Sequence, residues 1–195
     1  MKRVGLTGGI GCGKSTVVAE LRKQGISCFV ADEVARGYYD DACFLGEVSS
    51  VLGCNIVGDD GKADRKAIAA IVFAESEKLA ALNSLVHPRV MNDFAHWCAQ
   101  RENESLVFFE SAILYECGYD KLMDAVVAVY LDHAERIRRL VERDHCDSAA
   151  IEARMRNQMA DEEKVVRADF VILNYEGNPR ERQIKTILNQ LATSL

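Results

Sequence analysis

Residues 8–15 of the chain read Gly-Gly-Ile-Gly-Cys-Gly-Lys-Ser and match the pattern G-x-x-x-x-G-K-[ST] at every fixed position. The apolar run at residues 3–7 precedes this loop and predicts a buried strand, and helically spaced apolar residues follow it over residues 14–24. A glycine-rich loop between a strand and a helix turns backbone N–H groups around phosphate oxygens, at the positive end of the helix dipole. The stretch therefore predicts a nucleoside-triphosphate site of the P-loop type.

The residues of this loop have distinct expected roles. Lys14 would bridge the β- and γ-phosphates, and the Ser15 hydroxyl would bind Mg²⁺. We expect Cys12 to act through its backbone N–H rather than through its thiol. The other expected nucleotide contacts are Gly11, Gly13 and Thr16.

Strand-like and helical stretches alternate around the loop. A second strand at residues 26–31 completes a strand–helix–strand unit of about thirty residues, which implies parallel pairing and a right-handed crossover. Further strand-like runs occupy residues 106–109, 125–131 and 170–173. The chain is therefore predicted to be an α/β protein with a three-layer P-loop core and a five-stranded parallel sheet.

Two helical excursions interrupt this core, one after the second strand and one after the fourth. Residues 33–103 are helical in pattern, with Asp64 as the N-cap of a helix and Pro88 expected to kink or break a longer one. Residues 133–167 form a charged helical segment, and a closing helix covers about residues 179–191. The predicted core therefore contains about residues 1–32, 104–132 and 168–195. The core and the two excursions together form a single P-loop unit.

Composition narrows the class of protein. The chain has 195 residues and a net charge of −6, which argues against general affinity for nucleic acid or anionic membranes. Without a basic-then-apolar leader or a membrane-length apolar run, we expect a soluble, cytoplasmic protein, either a monomer or a weak homo-oligomer. The seven scattered cysteines are expected to be reduced thiols: Cys12, Cys28, Cys43, Cys54, Cys98, Cys117 and Cys146.

A phosphate-binding loop is compatible with a GTPase switch, a motor-type ATPase or a small-molecule kinase. The GTPase strings D-x-x-G and N-K-x-D do not occur in the sequence, and a motor ATPase would usually be larger. Small kinases of this class carry an acceptor-binding excursion after the second strand and an arginine-bearing lid after the fourth. Both excursions are present here, so the pattern favours a kinase.

Extended to residues 5–16, the loop resembles the G-L-T-G-G-I-G-S-G-K-S-T opening of the dephospho-coenzyme A kinases. A P-loop alone is shared by many families, whereas the further matches make the resemblance much more specific. They follow in the family's order through most of the chain: Asp32 with Ala35 and Arg36, Asp64 with Arg65, His87 with Pro88, Leu114 to Glu116, Gln158, Lys164, Ala168 with Asp169, Asn174 and Gly177.

The resemblance implies an activity. The family transfers the γ-phosphoryl group of ATP to the ribose 3′-hydroxyl of dephospho-CoA, with Mg²⁺, in the last step of coenzyme A synthesis. From spacing alone, Asp32 is either a proton acceptor at the carboxyl end of the second strand or a helix N-cap. The resemblance favours Asp32 as the catalytic acid/base. Asn174 and Gly177 resemble the turn that shapes the pocket for the nucleotide base.

Basic residues in both excursions are the remaining candidates. Arg136, Arg139 and Arg143 share one helical face, where they would either stabilise transferring phosphates or form surface ion pairs with Glu142 and Asp144. The family match favours Arg143, with Arg139 as the second candidate. Two further candidates, Arg65 and His87, would bind the diphosphate of the acceptor, although a histidine before a proline can also be structural.

Departures from the family pattern are few, and none removes a group that the chemistry requires. Val30 replaces an aspartate, Ala112 replaces a proline and Cys12 replaces the serine of the loop. Glu110 stands where an aspartate often does, and could hold a magnesium-bound water. Two alternatives stay open: a kinase of another nucleotide, nucleoside or small alcohol, and a regulatory module that binds nucleotide without turnover.

Overall fold

A computed structural model describes residues 1–145 and 147–193, apart from the side chain of Phe73. Cys146 and the last two residues of the predicted core lie outside the described residues, so the expectations about them are not examined by the structure. No helix of the described residues is long and apolar enough to cross a membrane.

A five-stranded sheet is built from strands that lie between residues 2 and 173. Its strands are β1 (Lys2–Thr7), β2 (Ser27–Val30), β3 (Leu106–Glu110), β4 (Ala125–Tyr130) and β5 (Phe170–Leu173). All neighbours are parallel, in the order β2-β3-β1-β4-β5. The predicted α/β fold with a five-stranded parallel sheet is therefore confirmed.

Helices connect these strands and extend beyond them. They are α1 (Lys14–Lys23), α2 (Ala31–Gly37), α3 (Ala42–Leu52), α4 (Arg65–Ala74), α5 (Ser76–Ala99), α6 (His133–Asp144), α7 (Ser148–Met155), α8 (Asp161–Arg167) and α9 (Arg180–Thr193). Short 3₁₀ helices cover Tyr38–Asp40 and Tyr119–Leu122. The charged segment at residues 133–167 thus contains α6, α7 and α8.

The chain divides into two compact units. The sheet unit contains Met1–Val30 and the chain from Arg101 onward, and the helical unit contains Ala31–Gln100. In the sheet unit, α1 and α9 cover one face of the sheet, where Val4 and Leu6 of β1 pack with Leu21 and Ile184. Because β1 lies between β3 and β4 and is buried, the loop that follows it starts from a fixed point.

The helical unit has its own apolar core, built by α3, α4 and α5. Val48 and Leu52 are fully buried there and pack with Ile68 and Leu82. Asp64 begins α4, and its side chain accepts hydrogen bonds from the N–H groups of Lys66 and Ala67, as expected of an N-cap. This predicted helix start is confirmed.

Pro88 does not end the helix in which it lies. Of the two expected effects, the break is wrong, because α5 runs through Pro88 from Ser76 to Ala99, and the kink stays a prediction. A proline inside a helix costs about 3 kcal/mol, since it removes one N–H donor and its ring crowds the preceding turn. Leu82 before it and Val90 and Phe94 after it are buried. Their burial fixes both halves of α5 and outweighs the local loss.

Candidate functional site

The phosphate loop connects the end of β1 to the start of α1, as the motif predicts. Gly13 is the N-cap of α1 and has the left-handed backbone angles φ 93° and ψ 28°, which glycine adopts readily. A side chain at Gly13 would also collide with the Asn174 amide nitrogen. Glycine at this position therefore lets the chain enter α1 with its N–H groups directed toward the loop.

The side chain of Lys14 extends across the loop and lies close to a carboxylate. Its Nζ donates to the carbonyl of Gly8 at 2.9 Å and to that of Gly9 at 3.5 Å. Glu110 Oε1, at the end of β3, lies 3.7 Å from Nζ, and the side chains of Lys14 and Glu110 are only 11% and 7% exposed. Electrostatic interactions are stronger in such a shielded place than in water. The arrangement supplies one mobile positive charge and one carboxylate at the same edge of the sheet.

Ser15 and Thr16 are exposed on the first turn of α1. Their hydroxyl groups therefore lie at the positive end of the helix dipole. Cys12 is fully buried, so its thiol packs in the apolar core of the sheet unit. The N–H of Cys12 donates to the Gly9 carbonyl at 3.3 Å. Its expected contact with phosphate stays a prediction.

Asn174 supports the part of the loop that leads into α1. Its Nδ2 donates to the Cys12 carbonyl at 2.7 Å, and its Oδ1 accepts from Arg180 at 2.9 Å. The side chain is almost completely buried and hydrogen-bonded on both amide atoms. The sequence associated Asn174 with the nucleotide base, whereas in the structure its amide group contacts the loop itself.

The three arginines of α6 have different surroundings. Arg139 donates to Glu135 at 2.9 Å and to the Asn174 carbonyl at 3.3 Å, so it joins the network that supports the loop. Arg143 pairs with Asp144 at 2.6 Å and is 61% exposed. This bond, with a second one from Arg154, holds the pKa of Asp144 at about 2. Of the two candidates, the structure connects Arg139 to the loop network and gives Arg143 the surface ion pair that was the alternative expectation.

Arg136, the third member of this face, is buried against Asp161. Asp161 had no assigned role, because an acidic residue at the start of a helix is ordinary and the sequence cannot show that this one is buried. Gln158 was seen only as a family match, and in the structure its Oε1 accepts from Ile10 N–H at 3.0 Å. The sequence signal that pointed to this segment was the family match at Gln158. That match did not show which contacts the side chain makes.

Lys164 is a further buried cation of this segment, only 1% exposed. Its Nζ donates to the Ala112 carbonyl at 2.5 Å and pairs with Glu116 at 2.9 Å. Burial lowers the pKa of Lys164, and the Glu116 carboxylate opposes that shift. The contact fixes the chain just after β3, and therefore the position of Glu110.

The other predicted residues belong to the helical unit. Asp32 is exposed in the first turn of α2, and its carbonyl accepts from the Arg36 Nε at 2.9 Å. Arg65 donates to the Arg36 carbonyl at 3.3 Å and lies over the Tyr39 ring, 5.7 Å from its centre. Arg65, Arg36 and Tyr39 therefore lie together, and Arg36 contacts the backbone of Asp32. His87 is half-buried on α5, and burial lowers its pKa.

Comparisons with known proteins show the family and the fold of the chain. A family model described as Dephospho-CoA kinase matches residues 2–179. The Dephospho-CoA kinase of Chlorobaculum tepidum is 41% identical, over 97% of this chain and 95% of the relative. Among solved structures, TT1252 from Thermus thermophilus has a TM-score of 0.87 and 33% identity, with 97% of each chain covered. The dephospho-CoA kinase from Campylobacter jejuni has a TM-score of 0.69 and 28% identity, with both chains covered in full.

Proposed function

This chain belongs to the dephospho-CoA kinase family, and from that membership we propose that it transfers the γ-phosphoryl group of ATP to the ribose 3′-hydroxyl of dephospho-CoA. The observation that carries the proposal is the shielded pair of Lys14 and Glu110 at the mouth of a P-loop, in a chain whose family match covers residues 2–179. The products are ADP and coenzyme A. The chain is accordingly a phosphotransferase that acts on an alcohol.

Phosphoryl transfer depends mainly on positioning and on stabilisation of charge. Lys14 leaves the carbonyls of Gly8 and Gly9 and neutralises the β- and γ-phosphates, while the backbone from Gly11 to Thr16 holds the remaining oxygens. Ser15 would hold Mg²⁺ through its hydroxyl group, and Glu110 would hold a magnesium-bound water, because Mg²⁺ prefers hydroxyl, carboxylate and water oxygens. When bound at this site, Mg²⁺ would supply positive charge against the negative charge that develops during transfer.

The acceptor side of the reaction is assigned to the helical unit. Asp32 accepts the proton of the attacking hydroxyl or orients it for in-line attack. Arg65 and His87 bind the acceptor, whose diphosphate suits a guanidinium. The exposure of Asp32 and the grouping of Arg65 with Arg36 and Tyr39 support this assignment.

Residues 133–167 are assigned as the lid. Arg139 and Arg143 are its candidates for the transferring phosphate, and closure of such a segment would exclude water from the reaction. The contact of Arg139 with Asn174 supports Arg139 as the first of the two. Arg143 would have to exchange Asp144 for phosphate, which its exposed position permits.

The experiment is acceptor-dependent ADP release from Mg·ATP, with dephospho-CoA, adenosine, AMP or no acceptor. We expect stimulation by dephospho-CoA alone, with coenzyme A as product. Asp32→Asn should lower kcat by roughly 10²–10⁴, the usual contribution of general base catalysis. Asp59→Asn, at an exposed position of the same unit, is the matched control and should behave as wild type.

Other outcomes would redirect the assignment. Stimulation by adenosine or AMP instead would keep a kinase and replace its acceptor. ATP binding without acceptor-dependent ADP release would contradict catalysis and support a regulatory module. Full activity in Asp32→Asn would remove Asp32 from the mechanism while leaving the substrate assignment intact.

A further inference from the structure

The outer turn of the phosphate loop, at Gly9 and Ile10, is held by side chains from α6 and from residues 158–161. Asp161 Oδ1 accepts from Gly9 N–H at 2.7 Å. On the next residue, the Arg136 Nε donates to the Ile10 carbonyl at 2.9 Å. Together with the bond from Ile10 N–H to Gln158, three backbone groups of the turn have side-chain partners more than a hundred residues away in the chain.

Arg136 and Asp161 also pair with each other, and they are only 6% and 5% exposed. Gly9 permits this approach, since a Cβ there would lie 2.6 Å from Asp161 Oδ1 and would collide with the Arg136 guanidinium. Gly9, Arg136 and Asp161 therefore form one packed contact. We call Arg136 and Asp161 the loop brace.

Stability of the fold is a weak reason for such a pair. Taking two charges out of water costs several kcal/mol per ion, and an apolar pair of similar volume is often as stable or more stable. Beyond pairing with each other, both side chains bond to the phosphate loop. The specific consequence of the brace is therefore the shape of the turn at Gly9 and Ile10.

We infer that the loop brace is a positioning element that fixes the outer turn of the loop in the shape that binds the phosphates of a nucleoside di- or triphosphate. Neither residue needs to touch the nucleotide. A cradle that is already ordered loses less conformational freedom on binding, so the brace raises nucleotide affinity. The inference rests on the proposed binding of nucleotide at this loop, and it adds Arg136 and Asp161 to the residues that control it.

Two double variants separate positioning from stability, because both remove the buried charges. Arg136→Gln with Asp161→Asn keeps an N–H donor at the place of Nε and a carbonyl acceptor for Gly9 N–H. Arg136→Met with Asp161→Leu keeps the volume and removes both bonds to the loop. Binding of Mg·ADP to the full chain is measured by calorimetry, together with Tm and the KM values for ATP and for dephospho-CoA.

We expect the polar double variant to bind Mg·ADP within threefold of wild type. The apolar double variant should bind about tenfold more weakly, and its KM for ATP should rise while its KM for dephospho-CoA stays within twofold. Its Tm should not fall below that of the polar variant. Arg138→Gln is the control on the same helix, since Arg138 is 54% exposed and pairs with Glu135 and Glu142; it should bind as wild type.

Two results would overturn the inference. One is an apolar double variant that binds Mg·ADP within twofold of wild type, which would leave the brace with a structural role only. The other is an equal loss of affinity in both double variants, which would show that the hydrogen bonds to the loop are not the cause. Calorimetry with Mg·ADP needs no acceptor, so a failure of dephospho-CoA to stimulate ADP release would affect the proposed function and not this comparison.

Discussion

In the sheet unit, Lys14 and Glu110 are shielded from solvent and the phosphate loop is supported by buried side chains, whereas in the helical unit Asp32 and Arg65 are exposed on helices. A buried, hydrogen-bonded cradle costs little reorganisation when an anion binds. Exposed side chains lose more conformational freedom when they bind a ligand. We therefore expect the loss of Lys14 to alter nucleotide binding and stability together, and changes at Arg65 to alter acceptor binding alone.

The largest expected effect is that of Lys14→Met. Loss of the ammonium should lower kcat/KM for ATP by roughly 10²–10³, as expected when one preorganised charge is removed from the transition state. The Tm should also fall, because Glu110 would stay buried without the cation 3.7 Å away.

Kinetics and calorimetry of the purified variant check this prediction. Lys23→Met is the control at the last turn of the same helix, where the lysine is 73% exposed, and it should match wild type. A loss of kcat/KM smaller than tenfold in Lys14→Met would mean that the shielded lysine is not the charge that the reaction uses.

An intermediate effect is expected from Arg65→Gln. The KM for dephospho-CoA should rise about tenfold, the equivalent of one charge-assisted hydrogen bond. The affinity for Mg·ADP should stay within twofold of wild type. Lys66→Gln, at the neighbouring exposed position of α4, is the control. If Mg·ADP affinity falls as much as the acceptor KM rises, the assignment of nucleotide binding to the sheet unit and of acceptor binding to the helical unit is wrong.

The smallest effect concerns pH and His87. Burial lowers the pKa of His87 below its ordinary 6.5, so the unfolded chain binds more protons than the folded chain between these two values. The contribution of His87 to stability is therefore complete above about pH 6.5 and is lost as pH falls from there toward its folded pKa. Unfolding midpoints between pH 7.5 and 5.5 should fall less in His87→Gln than in wild type.

His96→Gln is the control for this pH series, because His96 is exposed on the same helix. It should keep the pH dependence of wild type. An identical fall of Tm in wild type and His87→Gln would show that the half-buried histidine does not couple stability to pH. Mg·ADP affinity should be unchanged in both variants, since neither residue belongs to the sheet unit.

The parallel sheet and the phosphate loop were predictable because their signals are local. The apolar runs predicted all five strands to within two residues at each end, and the glycine pattern identified the loop between β1 and α1. Side-chain chemistry within a few residues also predicted the N-cap at Asp64. Pro88 is the counterexample, since its local cost was correctly recognised and the packing of Leu82, Val90 and Phe94 overrode it.

The supports of the loop could not be found in the same way. Arg136 was visible on the arginine face of α6, but the family match favoured Arg143, and Arg139 was the second candidate. Asp161 belonged to no motif and received no role from the sequence. Burial separates Arg136 from Arg143, and burial depends on which elements pack together rather than on spacing along one helix.

By itself, the sequence determined the class of chemistry, because glycines, a lysine and a serine at fixed spacing after a strand suit few ligands other than phosphate. The tertiary structure alone decided what holds that loop in place: Asp161 reaches Gly9 across 152 residues of chain, and Asn174 reaches Cys12 across 162. The physical reason is that the place of a glycine-rich turn along the chain follows from its own residues, whereas the buried polar side chains that hold it must find their partners among the residues that the fold brings beside them.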